Sequence, residues 1–176
     1  PDYPRTWPLE AKQVAVLGNG NVALDVARVL AKHADDMLST DIPANVYEGL
    51  KASPVTDVHV FGRRGPANIK FTPIELRELG EVEDVDIVLY DEDFPEGWFD
   101  EDAEGVTNQH KVMARILESW RERELTGASR RLHLHFYSTP VEILGNEYVT
   151  GIKFQRTGTN EFFEHEVQAV YRAIGY

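Results

Sequence analysis

The chain has 176 residues, 42% of them hydrophobic and 27% charged, the composition of a soluble globular domain long enough to bury a core. Its net charge of -12 speaks against a general nucleic-acid or anionic-membrane binder, because such surfaces need clustered positive charge. Cysteine is absent, which excludes disulfide staples, thiolate metal sites and dithiol redox chemistry within this stretch, and no apolar run approaches a membrane span, so a reducing, cytoplasmic setting is expected.

Residues Pro1 to Lys12 hold three of the nine prolines and show little periodicity, and read as a linker or incoming crossover ahead of a domain over 13–176. Gln13 to Leu17 is a continuous apolar run, the pattern of a parallel strand buried on both faces. It runs straight into Gly18-Asn19-Gly20-Asn21-Val22-Ala23, a dinucleotide fingerprint between strand and helix. Gly18 permits the tight turn, Gly20 has no Cβ to hold off a pyrophosphate, and Ala23 is small enough for close helix–strand packing. The unpaired N–H groups at the start of the helix suit phosphate. That helix carries Val22, Ala23, Val26, Ala27, Val29 and Leu30 on a broad apolar face. From Asp35 to Ser53 the pattern weakens, with Asn45 to Lys51 as a short helix in an enlarged crossover.

Thr56 to Phe61 is the second parallel strand and ends at Gly62-Arg63-Arg64-Gly65-Pro66. An acidic residue near the end of this strand would bind a ribose 2′-hydroxyl, whereas arginine favours a 2′-phosphate. Arg63 and Arg64 stand there with no acid beside them, so the site reads as one for NADP, and Lys70 adds charge nearby. Thr72-Pro73-Ile74-Glu75 has the form of a capping box, with Thr72 as N-cap and Glu75 at the third helical position. Val82 to Tyr90 supplies a third strand centred on Val85, Ile87, Val88 and Leu89. The stretch from Asp91 to Glu104 carries eight carboxylates without EF-hand or paired-acid spacing and reads as a solvated loop.

His110 to Arg123 is an amphipathic helix whose Met113 and Trp120 belong to the core. From Leu132 the period becomes two, with Leu132, Leu134 and Phe136 alternating with His133, His135 and Tyr137, and a β-meander is expected through Gln168. His133 and His135 share a strand face, but no third ligand converges in sequence and no metal site is expected. A last strand, Ala169 to Ile174, should return to the parallel sheet, giving an α/β fold: a Rossmann-like three-layer domain of parallel sheet, flanking helices and meander.

The fingerprint run from Gly18 to Arg28, the turn Gly62-Arg63-Arg64-Gly65-Pro66, and Phe71-Thr72 followed by Glu75-Leu76-Arg77-Glu78 resemble the adrenodoxin reductase family of ferredoxin-NADP reductases. The motifs are in the right order across the whole chain. In that family a flavin domain split in sequence flanks an NADP domain of the glutathione-reductase type, and electrons pass from NADPH through FAD to a ferredoxin. The resemblance implies that Asn19 to Val22 contact the pyrophosphate, that Arg63 and Arg64 meet the 2′-phosphate and adenine, and that Glu75 lines the cofactor site. It also implies that FAD belongs to a separate domain of the same polypeptide, because a second glycine fingerprint is absent here, and that this stretch alone is inactive. Two other readings stay open: the NADP domain of a relative such as the small subunit of glutamate synthase, and a non-catalytic Rossmann-like interaction module.

Overall fold

The structure, a computed structural model, describes residues 12–18, 20–32 and 55–173. The expected short helix at Asn45 to Lys51, the linker through residue 11, Asn19 and Ile174 lie outside the described residues.

Five strands form a sheet in which every pairing is parallel, in the order β3 (Val85–Leu89), β4 (Arg130–His135), β2 (Asp57–Phe61), β1 (Gln13–Leu17), β8 (Ala169–Arg172). Alternate residues of the central strands point to opposite layers. Val14, Val16, Val58, Val60, Leu132 and Leu134 pack with α1 (Asn21–Ala31), α2 (Pro73–Gly80) and α3 (Asn108–Glu122). On the other face Ala15, Leu17 and Phe61 meet Ile152, Phe154, Val149 and Val167 of the antiparallel sheet β5 (Ser138–Leu144), β6 (Gly151–Arg156), β7 (Phe162–Glu166) and its flanks. The three layers are thus helices, parallel sheet and meander, the Rossmann-like α/β arrangement expected.

Four local expectations are corrected. Residues 130–135 are the fourth parallel strand, between β2 and β3, and not the first strand of the meander. Their Leu–His alternation mimics a half-exposed strand, but His133 is only 8% exposed and both faces of the strand are covered. On α1 the buried face is Ala23, Leu24, Ala27, Leu30 and Ala31, while Val22 and Val29 are exposed. The stretch 91–104 is not wholly solvated: buried Asp93 accepts hydrogen bonds from Phe136 N and Arg156 Nη1, and Phe94 packs edge-on against Trp98 and Phe136. Finally, α3 begins earlier than its apolar pattern, because Thr107 and His110 form a reciprocal capping box.

Candidate functional site

The carboxyl ends of β1, β2 and β8 lie side by side, the place where open parallel sheets bind ligands. Gly18 N donates to Phe61 O at 3.0 Å and Ala173 N to Leu17 O at 2.9 Å, so the loop after β1 leaves the sheet between two fixed neighbours. Gly18 has φ +143°, and a Cβ there would stand 2.5 Å from Ala173 O and 3.4 Å from the Ala23 Cβ. Only glycine fits, and Ala23, fully buried, is the small residue that lets the helix approach.

Gly20 differs. It is the N-cap of α1, in extended conformation, and among the described residues nothing lies within 4 Å of where its Cβ would be. The space beside the helix start is open, as close approach by a phosphate group requires. Among the described residues no side chain caps the α1 N-terminus, and its first turn holds no acid, so its N–H groups and dipole face that space.

The turn after β2 is held just as firmly. Gly62 N donates to His135 O, Ser138 N to Gly62 O and Tyr137 N to Arg64 O, stitching the arginine turn to the β4–β5 connection. A Cβ at Gly65 would meet the Tyr137 hydroxyl, so any other residue there would push that ring aside. On this rigid base Arg63 and Arg64 extend exposed side chains. A cavity of about 350 Å³ is floored by Leu17, Gly18 and Phe61, edged by Pro140, and rimmed by Arg63, Arg64, Lys70 and Arg172. Among the described residues its lining has four cationic side chains and no carboxylate, a charge that suits a polyanion. A larger hollow of about 550 Å³ beyond Leu17 carries Glu142 and Glu147 on its wall with Arg172 as its single basic side chain, and suits phosphate poorly. The acid on β2, Asp57, is buried at the far end of the strand and held by Arg131 Nε at 2.7 Å, so it does not reach a ribose here.

The segment leading into α2 closes the fingerprint from the side. Gly20 and Lys70 form an isolated parallel bridge, and Thr72 N donates to Asn21 Oδ1 at 3.2 Å. This alters the expected capping box. Thr72 Oγ1 does accept from Glu75 N at 3.3 Å, but Asn21 has taken the Thr72 N–H that Glu75 was expected to bind. The Glu75 carboxylate turns instead toward α1, 3.9 Å from Arg28 Nη1. Partial burial and the Asp25 carboxylate raise its pKa.

Of the residues singled out in sequence, Gly18, Arg63 and Arg64 line the cavity. Gly20 and Asn21 shape the loop beside it, Ala23 lies buried beneath, and Val22 is exposed at the helix start. Glu75 sits at the α1–α2 seam and is not in the cavity wall, and Asn19 lies outside the described residues. Sequence reasoning missed Arg172. Its signal was position: it ends β8 opposite Leu17 in the parallel register, which brings it to the carboxyl edge.

No family model matches the chain. Across an alignment of 190 positions covering all of it, the chain is 35% identical to the NADPH-ferredoxin reductase FprA of Mycobacterium tuberculosis, and spans 41% of that protein. It is 31% identical over 199 positions to the mitochondrial NADPH:adrenodoxin oxidoreductase of Arabidopsis thaliana, again spanning 41% of it. Compared with the solved structure of M. tuberculosis FprA in complex with NADPH, 96% of this chain matches 40% of that one, with a TM-score of 0.88 and 36% identity. The chain is homologous to these reductases over about two fifths of their length.

Proposed function

We propose that this homologue of the FprA and adrenodoxin-type reductases is an NADP(H)-binding domain, which positions the dinucleotide for hydride transfer to a flavin held elsewhere in the same polypeptide. The carrying observation is the cavity that joins the Gly18 turn to the exposed Arg63 and Arg64 side chains, with no acid for a ribose 2′-hydroxyl among the described residues that line it. The pyrophosphate would lie at the open, uncapped start of α1 beside Gly20. The 2′-phosphate, with about 1.5 to 2 negative charges by analogy with a phosphoserine, would meet the two guanidinium groups in charge-assisted, bidentate fashion.

FAD, when bound, accepts a hydride and passes electrons on singly. Binding, orientation and cofactor choice are this chain's share. The names of the relatives support a ferredoxin-type protein as final acceptor and an oxidoreductase as the whole. Among the described residues no helix is long and apolar enough to cross a membrane. The overall charge of -12 makes this domain a poor sole docking surface for an acidic ferredoxin.

Calorimetric titration with NADPH and NADH tests the reading. A hydrogen bond to a charged group is worth about 1.5 to 3 kcal/mol, so Arg63→Ala or Arg64→Ala weakens NADPH binding by roughly ten- to a hundredfold and leaves the weaker NADH binding nearly unchanged. Added salt narrows the preference, because both arginines are exposed. Equal losses for the two nucleotides would place the arginines in support of the fold or the pyrophosphate and end the NADP assignment.

A further inference from the structure

Away from the nucleotide cavity, four of the chain's six histidines meet between the parallel sheet and the meander. His59 on β2 lies beside His133 on β4 in the strand register, and His135 follows two residues on along the same face. From the opposite sheet His165 closes over them, its ring centroid 4.8 Å from that of His59 and 5.0 Å from that of His135. One ring nitrogen from each of His59, His133 and His135 lies within 4.8 Å of the others. We propose that these three imidazoles, with His165 or water in a fourth position, bind a borderline divalent cation of the zinc class.

The hydrogen bonds assign the protons. Asp57 is ionised, held by Arg131 through both carboxylate oxygens, and can only accept. His133 Nε2 therefore donates to Asp57 Oδ1 at 2.7 Å, and its Nδ1 carries a lone pair that accepts from the Tyr90 hydroxyl at 2.6 Å. Gln13 donates its amide N–H to Asp57 Oδ2, which orients its carbonyl oxygen toward His59 Nε2 at 2.7 Å. His59 is thus protonated at Nε2 and keeps a lone pair at Nδ1, which receives His135 Nε2–H at 2.9 Å. Two ring nitrogens, Nδ1 of His133 and Nδ1 of His59, thus carry no proton, although each is engaged as a hydrogen-bond acceptor. The third is freed when His135 moves its proton to Nδ1.

A carboxylate on one ligating histidine and an amide oxygen on another are the outer partners that fix tautomer and raise ligand basicity in metal sites. Burial lowers the pKa of all four rings, so they are neutral at pH 7 and available to a cation. Nitrogen donors without thiolate favour Zn²⁺, Co²⁺, Ni²⁺ or Cu²⁺ over Mg²⁺ and Ca²⁺. Entry is provided by a cavity of about 600 Å³ that reaches His135 and His165. Glu92, Asp93, Glu161 and Glu164 line it against Arg156 alone, so its field draws cations in. Loading requires the near-parallel rings of His59 and His133 to turn and the Tyr90 contact to open. A bound ion would bolt β2 and β4 together and, through His165, to the meander.

The test is titration of the EDTA-treated chain with ZnCl₂, followed by calorimetry and by NMR of the histidine ring nitrogens. Expected are one ion per chain, shifts at the ring nitrogens of His59, His133 and His135 with the half-buried His110 unmoved, and a rise in melting temperature of roughly 5–10 °C at a hundredfold excess over Kd. Mg²⁺ at the same concentration produces none of these, and Co²⁺ in place of Zn²⁺ gives the visible absorption of a nitrogen-ligated tetrahedral ion. His59→Gln weakens Zn²⁺ binding at least tenfold. Zn²⁺ that leaves those ring nitrogens unshifted, whether it binds elsewhere or not at all, overturns the proposal without recourse to any variant.

Discussion

Gly18 and Gly20 stand two residues apart in one loop and are glycine for different reasons, which substitution separates. At Gly18 the backbone is in a region that side chains rarely adopt and a Cβ would strike Ala173 O, so Gly18→Ala destabilises the fold by about 1–3 kcal/mol in a denaturant titration. At Gly20 a Cβ enters open space, so Gly20→Ala changes stability by less than about 1 kcal/mol, the difference expected at an N-cap, yet weakens nucleotide binding because it occupies the phosphate approach. If Gly20→Ala bound nucleotide like the wild type, the pyrophosphate would have to lie elsewhere. The α2 cap divides in the same way. Thr72→Ala removes the acceptor for Glu75 N and lowers stability by about 0.5 to 2 kcal/mol. Glu75→Gln maintains or raises the melting temperature at pH 7, since it relieves a carboxylate crowded by Asp25 and Glu78 and breaks no reciprocal cap.

At the scale of elements, the histidine layer makes the packing of meander on sheet dependent on pH. Burial, with the neighbouring His133 and His165, lowers the pKa of His59 to about 3, and His133, His135 and His165 are lowered as well. Asp57 favours protonation of His59 and His133, Arg131 opposes it at His133, and Tyr90 and Gln13 complete the surroundings. The unfolded chain takes up these protons near pH 6.5, whereas in the folded chain His59 does so only near pH 3, His135 well below its ordinary value, and His133 and His165 below theirs. Stability is therefore fully present above about pH 6.5 and is lost as pH falls toward 3, by about 1.4 kcal/mol per pH unit for each excluded proton. Urea titrations from pH 7 to pH 4 in EDTA should show that decline, steeper in wild type than in His135→Gln, and a flat profile would mean that the layer is hydrated. The same layer explains why β4 was misread. Strand β1 was legible as an apolar run, β2 from a partial alternation that ends at a glycine-bounded turn and β3 from its apolar centre, but Leu132-His133-Leu134-His135 has the period of a half-exposed strand, and only the pairing of His59, Asp57 and Tyr90 with its histidines shows that both faces are buried. That partnership joins residues 43 to 76 positions apart and leaves no local trace.

For the molecule as a whole, the proposed nucleotide site was more legible than the packing around it. Glycines and arginines at strand ends act locally, so Gly18, Arg63 and Arg64 could be picked out from spacing alone. The roles of Asn21, Glu75 and Arg172 depended on which loops the fold sets side by side. Since the proposal assigns the flavin to another part of the polypeptide, this chain alone should purify colourless and fail to reduce ferricyanide with NADPH, and stoichiometric bound FAD would contradict that division. The central claim is that the 2′-phosphate sits on the Arg63–Arg64 turn while the pyrophosphate sits at the start of α1. It is tested most directly by comparing amide NMR shifts of the ¹⁵N-labelled chain saturated with NADP⁺ and with NAD⁺. Both nucleotides should move the amides of Gly18, Gly20 and Val22 alike, and the differences between them should concentrate at residues 62–65 and Lys70. Differences centred elsewhere, with the 62–65 turn unmoved by either nucleotide, would contradict the account.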